Sequence, residues 1–219
     1  MIYSRKLLTD DQLSDISRLM DHLTWEDGRA SGGGKNKKNM QAIPDCRYTI
    51  DIDNIVYDAI SKDVKFHGLT VPKVTKNLLI SKTEIGGYYK AHIDNYELGH
   101  FSTTVFLNDG YGGGELELLV DDKVQQYKLP AGHAVTYKTG TPHQVKPVTD
   151  GVRYVGVTWT STLLPNDQHR DVYTDLWTAL GKIESQDRDG NLLNYREDPH
   201  ALVENAMHKI LRFYGQLGN

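Results

Sequence analysis

The chain has 219 residues, of which 38% are hydrophobic and 25% charged, and its formal net charge is −4. This composition is typical of a folded globular protein and excludes a disordered chain. The length fits one domain, so we predict a single domain over 1–219. The acidic balance argues against a protein that binds nucleic acid through a strong basic excess.

Targeting and redox features are sparse. The sequence contains no apolar run long enough to predict a signal peptide or a membrane span. Cys46 is its only cysteine, which excludes an internal disulfide and a cysteine-based zinc site. We therefore expect a cytoplasmic protein with no membrane partner.

Helices are predicted first along the chain. Apolar residues at helical spacing predict one helix over 10–23, with Thr9 or Asp10 as the N-cap, and a second over 49–64. N-terminal helices are thus expected within about 10–64.

A glycine- and lysine-rich segment, 28–39, separates these helices and has no apolar period. It is predicted to be a solvated loop, and the alternative is a mobile lid over an active site. Lys35, Lys37 and Lys38 are interpreted as a solvated charge run, with an acidic target as the alternative.

A β-rich core is predicted over about 74–163. Short segments rich in β-branched and aromatic residues alternate there with glycine, proline, aspartate and asparagine, which favours an antiparallel sandwich, barrel or jelly roll. Helical spacing returns in 169–184 and 199–214, so C-terminal helices are expected over about 168–215. Their apolar faces either pack within the chain or form a dimer interface.

Three short patterns suggest chemistry. If 91–94 is extended, His92 and Asp94 point to the same side and can bind one metal. His143 follows a separate predicted strand. Arg153 lies on the predicted inward face of a strand, where a buried guanidinium needs a planar anion such as a carboxylate. Taken singly, the alternatives are a chance H-x-D pair, a surface histidine and an edge-strand arginine.

Together the patterns are more specific. Two histidines and one carboxylate form the facial triad that leaves positions open on ferrous iron. Those positions suit a 2-oxo acid and O₂, and Arg153 then receives the far carboxylate of the acid. Zinc usually takes a closed tetrahedron, or three ligands and water, which leaves Arg153 without a role.

Six motifs extend this pattern in a fixed order. They are Y-x-x-H-x-D at Tyr89, His92 and Asp94, the strand 103–109, Y-G-G-G-E-L at 111–116, the run 128–137, H-Q-V-K-P-V-T-D-G-V-R at 143–153, and Trp159. With these motifs, 76–163 resembles the Fe(II)/2-oxoglutarate-dependent dioxygenases of the prolyl 4-hydroxylase type, and among them the bacterial PKHD-type hydroxylases.

This resemblance implies a fold and a site. The fold would be mainly β with flanking α, a double-stranded β-helix (jelly roll) core with N-terminal and C-terminal helices. His92, Asp94 and His143 would hold iron, Arg153 would bind the 5-carboxylate of 2-oxoglutarate, and Tyr89 would lie near that co-substrate.

The resemblance also implies an activity. The enzyme would hydroxylate a C–H bond, expected in a peptidyl residue such as proline, and would convert 2-oxoglutarate and O₂ into succinate and CO₂. Ascorbate is a candidate reductant. Segment 95–101 is shorter than in PKHD-type relatives, so a free amino acid or small metabolite remains an alternative substrate. His100, within this segment, is expected at the rim and not as a ligand.

Other function classes stay open. One alternative is a non-catalytic cupin-like metal-binding or sensing module. Another is a zinc-dependent hydrolase or isomerase on a jelly roll. A third keeps the oxidation but acts on a nucleic-acid base, which the acidic charge disfavours.

Overall fold

The computed structural model describes residues 1–183 and 198–217. The chain divides into two compact units, one formed by Met1–Asp63 with Val74–Ser161 and the other by Val64–Lys73 with Thr162–Asn219. The single-domain organisation stays a prediction. Within the described residues, no helix is both long and apolar enough to cross a membrane.

The elements alternate between a few helices and many short strands. The helices are α1 (Asp10–Met20), α2 (Arg47–Ser61), α3 (Val64–Thr70), α4 (Asp167–Leu180) and α5 (Pro199–Leu217). The strands are β1 (Ile2–Lys6), β2 (Trp25–Asp27), β3 (Lys37–Lys38), β4 (Met40–Ala42), β5 (Pro72–Thr75), β6 (Leu79–Thr83), β7 (Tyr88–His92), β8 (Phe101–Phe106), β9 (Gly112–Gly113), β10 (Leu116–Val120), β11 (Lys123–Tyr127), β12 (His133–Lys138), β13 (His143–Val145), β14 (Val148–Asp150) and β15 (Arg153–Thr162).

Two antiparallel sheets make up most of the β-structure of the first unit, beside a two-stranded sheet of β9 and β14. The larger sheet follows the order β1-β12-β8-β15-β6-β4-β2, and the smaller follows β11-β10-β13-β7-β3. Inward side chains from both sheets form one core, because alternate residues of each strand point to the same face. The buried members of this core are Phe106, Leu116, Leu118, Val135, Tyr137 and Val155.

The N-terminal helices agree closely with the sequence predictions. Thr9 caps α1, where its hydroxyl accepts from the Gln12 amide and the Gln12 side chain accepts from the Thr9 amide. The predicted second helix begins two residues earlier and ends three residues earlier than expected, at Ser61. Its apolar face is buried, with Ile52 and Val56 almost inaccessible.

Segment 28–39 is largely exposed, as predicted, but it contains short regular elements and one buried lysine. Two short 3₁₀ turns, Gly28–Ser31 and Gly34–Asn36, precede β3, and β3 pairs with β7. The prediction of a solvated charge run is wrong for Lys37, which is only 8% exposed. The pairing of β3 with β7 turns Lys37 inward and leaves Lys38 exposed.

Several element boundaries also differ from expectation. β1, which pairs with β12, and α3 were not predicted. β7 ends at His92, so only part of the predicted extended stretch 91–94 is strand. In the second unit, α4 ends at Leu180 and α5 spans Pro199–Leu217; residue 184, the predicted end of the first C-terminal helix, lies outside the described residues.

Candidate active site

Two histidines face each other across neighbouring strands. β7 and β13 pair so that His92 lies directly opposite His143, with an irregular register between His143 and Val145. The ring centroids of the two imidazoles are 4.2 Å apart. Main-chain pairing therefore brings together two side chains that are 51 positions apart in the sequence.

Asp94 completes the cluster two residues after β7 ends. Its Oδ1 atom lies 3.6 Å from His92 Nε2 and 3.7 Å from His143 Nε2. These separations are too long for hydrogen bonds. One ligand atom from each residue falls within 4.8 Å of the others, so the three can hold a metal ion.

Backbone carbonyls orient both imidazoles. Nδ1 of His92 lies 2.8 Å from the Lys90 carbonyl oxygen, and Nδ1 of His143 lies 2.9 Å from that of Thr141. A carbonyl only accepts, so each Nδ1 donates, and in the neutral tautomer with this proton each Nε2 presents a lone pair. Burial lowers the pKa of His143 below its usual value, which favours the neutral, metal-binding form.

The chemistry of these donors fits a divalent cation. Nε2 of His92 is buried and, among the described residues, makes no hydrogen bond. A buried polar atom without a partner is costly, and a metal ion would satisfy it. Neutral imidazoles with one carboxylate are the donor set of non-haem Fe(II) sites.

Asp94 uses its second oxygen differently. Oδ2 accepts hydrogen bonds from Ser102 Oγ at 3.0 Å and from Trp159 Nε1 at 2.9 Å. Burial by itself would raise the Asp94 pKa, but these donors and the two histidines outweigh it and hold the pKa below its usual value. The carboxylate is therefore ionised and fixed, with Oδ1 directed at the histidines.

Tyr89 and Lys37 extend the site along β7 and β3. The Tyr89 ring stacks on the His92 imidazole, with centroids 3.6 Å apart and planes at 19°. Lys37 Nζ lies 5.3 Å from the centroid of the Tyr89 ring. The three side chains thus form a column that ends at a candidate metal ligand.

Arg153 provides a second charged group. It lies on β15 opposite Thr83 and is 3% exposed. No ion pair of Arg153 occurs within the described residues, and its Nε makes no hydrogen bond there. Burial lowers its pKa, and the neighbouring Tyr111 and Tyr137 act in the opposite direction. A buried guanidinium of this kind is suited to a carboxylate ligand.

A cavity of about 530 Å³ joins these groups. This size is in the range of small-molecule sites. The side chains of Arg153, Val155, Val157 and Trp159 line it, which confirms the predicted inward face of β15. Lys37 also lines it, and so do parts of 31–39 and of 93–98.

The sequence predictions missed two contributors. Lys37 was read as solvated, because nothing in its glycine-rich surroundings shows the pairing with β7. The sequence patterns do not single out Ser102, although its hydroxyl contacts Asp94. Only the fold brings these side chains to the site.

Other predicted features lie elsewhere. His100 is exposed and does not line the cavity. Gly113 and Gly114 have φ values of +63° and +68°, and a Cβ on Gly113 would lie 2.2 Å from the Pro147 carbonyl oxygen. Only glycine fits this turn.

Comparison with known sequences gives a consistent family. Residues 78–161 match the model of the 2OG-Fe(II) oxygenase superfamily. A PKHD-type hydroxylase of Prochlorococcus marinus is 33% identical over 71% of this chain and 75% of its own length. Another, of Delftia acidovorans, is 30% identical over 96% of both chains.

Solved structures share the fold. A prolyl-4-hydroxylase of Pseudomonas putida aligns with a TM-score of 0.52 at 18% identity, covering 74% of this chain and 92% of its own. A prolyl hydroxylase of Trichoplax adhaerens aligns with a TM-score of 0.54 at 17% identity, covering 78% of this chain and 86% of its own. That structure is in complex with a hypoxia inducible factor oxygen degradation domain peptide fragment. The predicted double-stranded β-helix with flanking helices is confirmed.

Proposed function

We propose that this chain, which belongs to the PKHD-type hydroxylases of the 2OG-Fe(II) oxygenase superfamily, holds Fe(II) with His92, Asp94 and His143 and binds 2-oxoglutarate with Arg153. The family uses Fe(II), 2-oxoglutarate and O₂, so the chain is a dioxygenase. The observation that carries the residue assignment is one cavity lined by a convergent two-histidine, one-carboxylate cluster and by a buried arginine.

The proposed metal site consists of three ligands and two carbonyl groups that orient the histidines. His92, Asp94 and His143 hold the metal, and the carbonyls of Lys90 and Thr141 keep both Nε2 atoms directed at it. When bound, iron supplies the redox chemistry that couples oxidation of 2-oxoglutarate to hydroxylation of a C–H bond.

Arg153 fixes the orientation of the co-substrate. A carboxylate received by the fork of its guanidinium makes two parallel hydrogen bonds, which set direction as well as affinity. Val155 and Val157 line the same cavity and exclude water from the reacting groups.

Tyr89 is assigned a place beside the co-substrate. It lines the cavity and stacks on His92, so it holds that imidazole in position and borders the space left for 2-oxoglutarate. Ascorbate is proposed as a reductant of the iron from family resemblance alone.

The substrate is proposed to be a peptidyl residue such as proline. The Trichoplax relative of the same fold holds a peptide fragment, and segments 31–39 and 93–98 border the cavity where a peptide would enter. A small metabolite is the alternative. A cytoplasmic location is proposed from the single cysteine.

Anaerobic titration tests the metal and co-substrate assignments. Fe(II) and 2-oxoglutarate are added, the visible charge-transfer band is recorded, and succinate is measured after O₂ is admitted. We expect a band with the wild type and with His100→Ala, and none with His143→Ala. Arg153→Met should bind Fe(II) but need far more 2-oxoglutarate.

A wild type with neither band nor succinate would contradict the proposal. The cupin-like binding module would then be the better description. A band that survives in His143→Ala would refute the ligand assignment but not the family.

A further inference from the structure

Lys37 is a buried cation that faces the cavity. It is 8% exposed, lines the cavity together with the metal cluster, and lies opposite Tyr89 in the pairing of β3 with β7. Nothing in the metal or co-substrate assignment uses its charge. Burial of an ammonium is costly unless an anion compensates it.

The described surroundings of Lys37 supply little compensation. Its Nζ donates one hydrogen bond, to Ser31 Oγ at 2.8 Å, and forms no ion pair within the described residues. The nearby Asp27 carboxylate accepts from Arg29 Nε at 2.9 Å instead. An ammonium has three donors, so two of them remain for a ligand.

The charge balance of the cavity points the same way. Its charged lining residues are Lys37, Arg153 and Asp94, which leaves one positive charge in excess. Iron as a dication and 2-oxoglutarate as a dianion cancel each other. The fully loaded cavity therefore keeps one uncompensated positive charge.

Position separates the two cations. Arg153 belongs to β15 in the larger sheet, whereas Lys37 belongs to β3 at the edge of the smaller sheet. Gly33, with φ +81°, lets the preceding turn approach, since a Cβ there would lie 2.9 Å from Tyr89 Oη and 3.2 Å from Lys37 Cδ. This close packing fixes the lysine stem beside Tyr89.

We propose that Lys37 binds a carboxylate of the primary substrate, so that the substrate class is an anionic one. This inference rests on the proposed function, because it assigns 2-oxoglutarate to Arg153. A free amino acid supplies such a group at its α-carboxylate, and an acidic peptide supplies it on a side chain. Lys37 acts as a specificity-determining residue and takes no part in the redox chemistry.

Calorimetric titration of the anaerobic Fe(II)–2-oxoglutarate protein tests this. The probes are matched carboxylate and amide pairs: acetate with acetamide, L-proline with L-prolinamide, and the capped dipeptide glutamyl-proline amide with its glutaminyl counterpart. We expect at least one carboxylate to bind more tightly than its amide. Lys37→Met should lower the affinity for that carboxylate by about tenfold or more and leave the affinity for the amide unchanged.

Two variants control for fold and charge. Lys38→Met removes the same charge from the exposed face of β3 and should keep the preference for the carboxylate. Lys37→Arg keeps the charge and should retain part of the preference. Discrimination of the proline pair identifies a free amino acid, and discrimination of the dipeptide pair alone identifies an acidic peptide.

Three results would overturn the assignment. The first is a wild type that binds no carboxylate better than its amide. The second is a Lys37→Met variant that keeps the full preference, and the third is a Lys37→Met variant that binds 2-oxoglutarate more weakly instead. The charge-transfer band is recorded on the same samples. Its absence from the wild type would remove the proposed function, whereas its presence without a carboxylate preference would remove only the role of Lys37.

Discussion

The phenol ring of Tyr89 lies flat against the imidazole of His92, with centroids 3.6 Å apart. Since both residues belong to β7, the strand positions the proposed ligand and its neighbour together. The Lys90 carbonyl holds His92 Nδ1, so the imidazole is restrained both in its plane and on one face.

Removing the stacked ring should weaken metal binding. We expect Tyr89→Ala to lower the affinity for Fe(II) by about tenfold, within the range known for partners that orient metal ligands. Tyr89→Phe keeps the ring and should bind Fe(II) like the wild type. Anaerobic metal titration measures both, and equal affinity in all three proteins would contradict a role for stacking.

The hydrogen-bond donors to Asp94 should also affect the affinity for Fe(II). Trp159→Phe keeps an aromatic ring but loses the hydrogen bond to Oδ2. We expect Fe(II) affinity to fall by about 10- to 100-fold. Ser161→Ala, at a position outside the cavity lining, is the control for β15. Unchanged affinity in Trp159→Phe would show that Ser102 alone is sufficient.

Arg153 should show opposite effects on binding and stability. Arg153→Met removes a buried cation that has no described ion pair, so the free energy of unfolding should rise by roughly 1 to 3 kcal/mol. The same change should lower the affinity for 2-oxoglutarate by about 100-fold. Arg153→Lys should not restore tight binding, because an ammonium lacks the planar fork.

Denaturant unfolding with and without 2-oxoglutarate measures both effects of Arg153. The co-substrate should stabilise only the wild type. A loss of stability in Arg153→Met without the co-substrate would mean that the guanidinium is already compensated.

His143 predicts a pH dependence for the metal-free protein. Its pKa in the folded chain is lowered by burial, so the unfolded chain binds the proton more readily. The contribution of neutral His143 to the free energy of unfolding is therefore complete above the unfolded pKa of about 6.5. This contribution is lost as the pH falls through the lower pKa of the folded chain. Unfolding in chelator at a series of pH values measures this.

The matched variant for that experiment is His143→Asn. It should show a flatter stability profile between neutral and mildly acidic pH, because the titrating group is gone. Profiles of the same slope in both proteins would assign the pH dependence to other groups.

The cap of α1 provides a test that is independent of the site. Thr9→Ala removes the hydroxyl that accepts from the Gln12 amide, and it should cost about 1 kcal/mol of stability. Iron and 2-oxoglutarate titrations should not change. Altered binding would show that α1 influences the cavity.

Local patterns explain which features were predictable. Alternation along β15 is intact from Arg153 to Trp159, so its inward face could be read from the sequence. The inward orientation of the Lys37 side chain could not be read from the sequence. A two-residue strand has no period of its own, so this orientation depends on the partner strand β7. The contact of Ser102 with Asp94 depends on strand order, which sequence spacing does not encode.

The pairing of β3 with β7 has a thermodynamic consequence. Lys37 and His92 are joined through Tyr89, so a ligand at one end of this column and a metal at the other are held by two paired strands. Any factor by which iron changes the affinity for an anion at Lys37 must equal the factor by which that anion changes the affinity for iron. Measuring this coupling from both directions would give its size without knowledge of the natural substrate.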